Sequence, residues 1–177
     1  MNQIGCGYIH VYTGDGKGKT SAALGLALRA AGHDLKTCIV QFMKGQHYGE
    51  LDSVKLLSGL VSIEQYGNPT FCRFTDPPDE DDVNRARSAL DRVRELMSSG
   101  SCDVLVADEI ITAVMFKLIS EEDVLELMRE KPHGIELVLT GRGATKPMIE
   151  AADLATEMKE IKHYYTNGVP ARAGIEC

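Results

Sequence analysis

Short β-branched runs alternate along the chain with longer stretches whose apolar residues recur every three or four positions. The short runs predict strands over residues 8–13, 37–42, 61–66, 104–107 and 136–140, with a weaker sixth over 156–161. Between the first two, Ala22, Ala23, Gly25, Ala27 and Ala30 give residues 19–31 a small-residue helix face suited to close packing on a sheet, with Gly32 as its stop. Val83, Ala86, Leu90, Val93 and Met97 place a second helix over residues 79–98. Ser120, with Asp123 three residues on, opens a third that ends by Lys131, ahead of Pro132. Strands that alternate with helices in this way predict an α/β fold: a mostly parallel sheet of five or six strands with helices on both faces. The stretch 66–78, with Asn68-Pro69 and Pro77-Pro78, breaks the pattern and reads as a long loop. The acidic run 79–82 after those prolines reads as a helix cap and not as a cation site.

Length and charge narrow this picture. A chain of 177 residues suits one core, so residues 1–177 are expected to form a single domain. The net charge of -7 gives a nucleic-acid partner no support from the whole-chain balance. No apolar stretch approaches the roughly 20 residues that span a bilayer, and no signal-peptide pattern opens the chain, so no membrane partner is expected. The five cysteines are odd in number and scattered, without a C-x-x-C, which fits a reducing, cytoplasmic setting.

The candidate chemistry lies at the ends of the predicted strands. Residues 13–20 read Thr-Gly-Asp-Gly-Lys-Gly-Lys-Thr between a strand and a helix. Thr13 stands where the G-x-x-x-x-G-K-[ST] spacing has its first glycine, so the glycine-rich part is one residue short. Gly14, Gly16 and Gly18 let backbone N–H groups close on an anion at a helix N-terminus, and Lys17 and Lys19 add full charges. Thr20 has the position of a Mg2+-binding hydroxyl. Asp108-Glu109 ends an apolar strand, as a Walker B pair does, with one carboxylate in reach of the metal. Arg142, between Gly141 and Gly143, ends another strand, where a guanidinium can clamp a distal phosphate or sit in a surface turn. Lys44 reads either as a contact to phosphate or a second substrate, or as an exposed loop lysine. His10 reads as a hydrogen-bonded core residue, and nothing pairs a histidine with a nucleophilic Ser or Cys.

Taken in order, the segment 12–32 around the phosphate loop, Gln-Phe-Met-Lys-Gly at 41–45, Asp108-Glu109, Leu-Thr-Gly-Arg-Gly at 139–143, Glu150 to Leu154, Lys162-His163 and Gly174-Ile175-Glu176 resemble the ATP:corrinoid adenosyltransferases over nearly the whole chain. The resemblance implies a P-loop NTPase fold of the recombinase-like type, usually dimeric. It implies transfer of the 5'-deoxyadenosyl group of ATP to the Co(I) of a reduced corrinoid, with release of triphosphate, and ATP reversed relative to ordinary P-loop enzymes. By matching positions, Gly14, Asp15, Gly16, Lys17, Gly18, Lys19, Thr20, Ser21 and Arg142 would bind ATP. Thr20 and Glu109, with Asp108 beside them, would hold Mg2+ or Mn2+, and Lys19, Thr20 and Glu109 would carry catalysis. Phe71 and Phe74 are the candidate aromatics against the corrinoid. A flavodoxin-type or flavin reductant and a homodimer complete the expected partners. The alternatives from the residues alone are a P-loop NTPase or kinase acting on the terminal phosphate, and a nucleotide- or corrinoid-binding regulator without turnover.

Overall fold

The computed structural model describes residues 4–70, 75 and 77–176, so the candidate aromatics Phe71 and Phe74 lie outside the described residues. Six strands form one sheet: β1 (Ile9–Thr13), β2 (Thr37–Gln41), β3 (Val61–Gln65), β4 (Val104–Asp108), β5 (Glu136–Thr140) and β6 (Leu154–Glu157). Their order is β3-β2-β4-β5-β1-β6 and every pairing is parallel. The register sets Gln41 opposite Asp108 and Tyr12 opposite Thr140, which brings the carboxyl ends of β1, β2, β4 and β5 to one edge. β4 lies inside the sheet with all five residues buried, as its unbroken apolar run requires.

Both faces are covered by helices. On one, α1 (Lys19–Ala31) sets Ala23, Ala27 and Ala30 against Ile39, Val104, Val106 and Val138. On the other, α3 (Glu80–Ser99), α4 (Ile110–Met115), α5 (Glu121–Glu130) and α6 (Lys146–Ala151) enclose the larger cluster, with Leu90, Val93, Leu127 and Met148 packed on Val40, Leu105, Leu137 and Leu139. The acidic run caps α3: the Asp79 carboxylate accepts from the N–H groups of Asp81 at 2.9 Å and Asp82 at 3.4 Å. Ser120 and Asp123 close a reciprocal capping box on α5.

Two expectations needed correction. The sixth strand is Leu154–Glu157 and not 156–161; all four of its residues are exposed, so no buried face marked its register. Pairing with β1 fixes it instead, His10 lying opposite Leu154 and Thr13 opposite Glu157. Beyond that point Met158 and its neighbours cross the phosphate loop. The short helices α2 (Glu50–Ser53), α4 and α6 were not anticipated, being too short to show a helical period.

The burial pattern predicts a sharp contrast in stability. Leu127, fully enclosed on the inner face of α5, should lose about 2–5 kcal/mol on Leu127→Ala, whereas Leu56→Ala, at a residue 84% exposed, should stay within about 0.5 kcal/mol. Urea unfolding of the two variants checks this, with equal losses as the contrary result.

Candidate active site

The phosphate loop begins where β1 ends. Thr13 is buried and its hydroxyl accepts the Ala144 N–H at 3.1 Å, so the residue in the first-glycine position fastens the loop to the turn after β5. Gly14 has φ +98, and a Cβ there would stand 2.5 Å from the Met158 carbonyl oxygen; at Gly16 the same oxygen would be 2.6 Å away. Glycine is therefore required for close backbone approach as well as for conformation. The Gly16 N–H donates to Met158 O at 2.7 Å. Lys19, at the first position of α1, folds back so that Nζ donates to the carbonyls of Gly14 at 2.6 Å and Gly16 at 2.8 Å. Burial pulls its amine below the usual lysine range, and the nearby Glu109 carboxylate opposes that shift.

The two carboxylates of the strand-end pair have different surroundings. Asp108 is fully buried. Its Oδ1 accepts from the hydroxyls of Thr20 at 2.9 Å and Thr140 at 2.7 Å. Its Oδ2 accepts from Lys44 Nζ at 2.8 Å and Gln41 Nε2 at 3.2 Å. Glu109 turns out of the strand with φ 64 and lines the cavity, while its carboxylate accepts the Thr112 hydroxyl and its N–H donates to Thr140 Oγ1 at 2.9 Å. Thr112 Oγ1 in turn accepts the Arg142 N–H at 2.9 Å. Gly141, at φ +141, lets this turn pass Thr112, whose backbone nitrogen would lie 2.5 Å from an added Cβ.

Lys44 is held by its own backbone. Met43 takes a left-handed φ of 60, and Gly67 donates its N–H to Lys44 O at 2.8 Å. Gly45 and Gly67 have no room for a Cβ, the nearest backbone atoms standing 2.4 Å and 2.2 Å away. The turn directs Nζ between Asp108 and the Thr20 hydroxyl, 3.2 Å away. Burial works against the Lys44 charge, but the carboxylates of Asp108, Glu109 and Glu50 together outweigh it and keep the amine above the usual lysine range.

These residues surround a cavity of about 860 Å³. Asp15, Gly16, Lys17, Gly18, Lys19, Thr20 and Ser21 of the loop line it together with Glu109 and Arg142; Gly14 and Asp108 lie behind the lining. Lys17 turns toward the C-terminal segment, with Nζ 2.7 Å from Glu176 Oε1. His10 packs away from the site, its Nε2 2.6 Å from Glu136 Oε1 and its Nδ1 3.1 Å from Tyr12 Oη.

Two parts of the lining escaped the sequence reading. One is an apolar wall formed by Leu24 and Leu28 of α1 with Val54, Leu56 and Leu57. Leu28 is 60% exposed. Leu24 and Leu28, one turn apart on α1 and flanking its alanine face, were a legible signal for it. The other is contributed by Glu160, His163 and the segment 174–176, which only the folded chain brings to the loop. The whole combines a cationic, glycine-lined anion cradle, an oxygen-rich corner at Thr20 and Glu109, and an apolar wall.

Comparison with known proteins agrees with this geometry. The model of the family described as ATP:corrinoid adenosyltransferase BtuR/CobO/CobP matches residues 5–177. A corrinoid adenosyltransferase of Escherichia coli K12 is 33% identical over 171 residues, covering 96% of this chain and 85% of the relative. One from a Sinorhizobium species is 36% identical over 172 residues, covering 96% and 80%, and one from Pseudomonas aeruginosa is 34% identical over 171, covering 96% and 83%. With the phosphate loop, the strand-end carboxylates and the arginine turn gathered around one cavity, and a match from residue 5 to residue 177, the chain belongs to the ATP:corrinoid adenosyltransferase family.

Proposed function

We propose that the protein transfers the 5'-deoxyadenosyl group of ATP to the Co(I) of a reduced corrinoid and releases triphosphate. The observation that carries this is the cavity itself, where a cationic glycine loop adjoins an apolar wall and a ligand with both a polyphosphate and a nonpolar part finds both surfaces. In the reaction the cobalt electron pair forms the Co–C5' bond while the C5'–O5' bond breaks, its electrons leaving on the triphosphate. The nucleophile is brought by the corrinoid, so no protein base or nucleophilic serine or cysteine is needed. The protein's task is to hold C5' toward the corrinoid and to stabilise the charge gathering on the leaving group.

Lys19 and Arg142 are the cations placed to do this, with the loop N–H groups and the α1 N-terminus beside them. Lys19 reaches the triphosphate by exchanging the Gly14 and Gly16 carbonyls for phosphate oxygens. A Mg2+ or Mn2+ ion fits the donor set: the Thr20 hydroxyl and the Glu109 carboxylate are hard oxygens on the cavity wall. Among the described residues no cluster of three or more His, Cys, Asp or Glu forms a closed cage, which suits a cation that shares its coordination with phosphates. Such an ion supplies charge neutralisation for the leaving triphosphate. Asp108, saturated by four donors, positions Thr20 from behind. A homodimer, a flavodoxin-type or flavin reductant and a cytoplasmic setting belong to the same reading, supported by the family likeness.

Incubation with ATP, Mg2+ and chemically reduced cobalamin without oxygen should give a light-sensitive Co–C product and triphosphate; ADP with phosphate instead would overturn the reading. Lys19→Ala and Glu109→Gln should each lower kcat/KM by about 10²- to 10³-fold, with a far-UV spectrum like that of the parent. Unchanged turnover in both would remove them from the site. Lys44→Met strands the buried Asp108 charge and should destabilise the fold by about 3–5 kcal/mol, an effect that Asp108→Asn in the same chain should largely relieve. Denaturant titration of the single and double variants measures it.

A further inference from the structure

Lys17 lies in the phosphate loop, where a lysine would be read as a ligand of the phosphates, yet its amine is committed elsewhere. Nζ donates to Glu176 Oε1 at 2.7 Å, to the carbonyl oxygen of Ile175 at 2.9 Å and to the Tyr164 hydroxyl at 3.3 Å. All three acceptors belong to the last part of the chain. Glu176 is gripped from its own side as well: Arg172 donates its backbone N–H at 2.9 Å and its Nε at 3.3 Å to Oε2, and the Tyr164 hydroxyl contacts Oε1. The Arg172 guanidinium lies 4.8 Å from the Tyr164 ring centroid. The tail therefore has an internal frame, and Lys17 is its bond to the loop. At the other end of the same segment the contact is backbone on backbone, through Gly16 N–H and Met158 O. Between these two fastenings run Glu160 and His163, which line the cavity as Ile175 and Glu176 do.

From this we infer that Lys17 and Glu176 are positioning residues: their ion pair latches the C-terminal strap across the phosphate loop and thereby builds the part of the cavity wall that Glu160, His163, Ile175 and Glu176 line. Lys17 acts on the nucleotide through that wall and not as a direct phosphate ligand. The strap's effect on ATP rests on the cavity being the ATP site; the latch itself does not.

The test separates the two. In the nucleotide-free protein, Lys17→Met and Glu176→Gln should each speed amide exchange across residues 163–176 while leaving α3 and β4 unchanged, a result independent of which ligand binds. For catalysis, each variant should raise the KM for ATP about three- to tenfold with little change in kcat. The double variant should be no worse than either single one, because both remove the same contact. A raised KM in Lys17→Met with a normal one in Glu176→Gln, or additive losses in the double variant, would make Lys17 a phosphate ligand and overturn the latch. A lowered KM in Glu176→Gln would show the carboxylate to be a plug competing with phosphate, which also overturns it. Protected tail amides in both single variants would do the same.

Discussion

A carboxylate out of contact with water organises the carboxyl edge of this sheet. Asp108 takes hydrogen bonds from Thr20 at the start of α1, Gln41 at the end of β2, Lys44 in the turn beyond it and Thr140 at the end of β5. An ionised group so enclosed is tolerable only when every lone pair is engaged and a counter-charge lies close. The requirement runs outward: Lys44 needs the strained Met43 turn, that turn needs Gly45 and Gly67, and Thr140 must serve Asp108 and the Glu109 N–H together. The neighbouring acid is thereby turned into the cavity. Two adjacent carboxylates have different work because one closes the network beneath the site and the other faces the ligand space.

A second constraint is the flush contact between the phosphate loop and the chain beyond β6. Ordinary P-loop reasoning gives the glycines to the anion, but here Gly14 and Gly16 also answer to the Met158 carbonyl. Part of the loop's shape is set by Met158, the residue just past β6, far along the chain from the loop. The same apposition brings the C-terminal segment within reach of Lys17, so the loop and the cavity wall that this segment lines are one mechanical unit.

Much of the site was legible beforehand because it is encoded locally. Helix α1 matched its expected bounds of 19–31, since its small-residue face and Gly32 punctuate it without help from distant residues. The caps at Asp79 and Ser120 formed as their local chemistry dictates. Loop, acid pair and arginine turn each follow a strand, and a parallel sheet necessarily gathers strand ends of one sense at one edge. Where no local signal existed the reading failed: β6 is short and exposed on all residues, and α4 and α6 span six residues each.

What the sequence determined by itself was the alternation of elements, the parallel sheet, and the set of motifs that share its carboxyl edge, because strand burial, helix caps and glycine turns act over a few neighbouring residues. The tertiary structure decided which acid is buried and which faces the cavity, that Lys44 serves as an internal counter-ion, and that Lys17 reaches the tail. Those outcomes depend on distances between residues 64 to 159 positions apart, and no local pattern carries them.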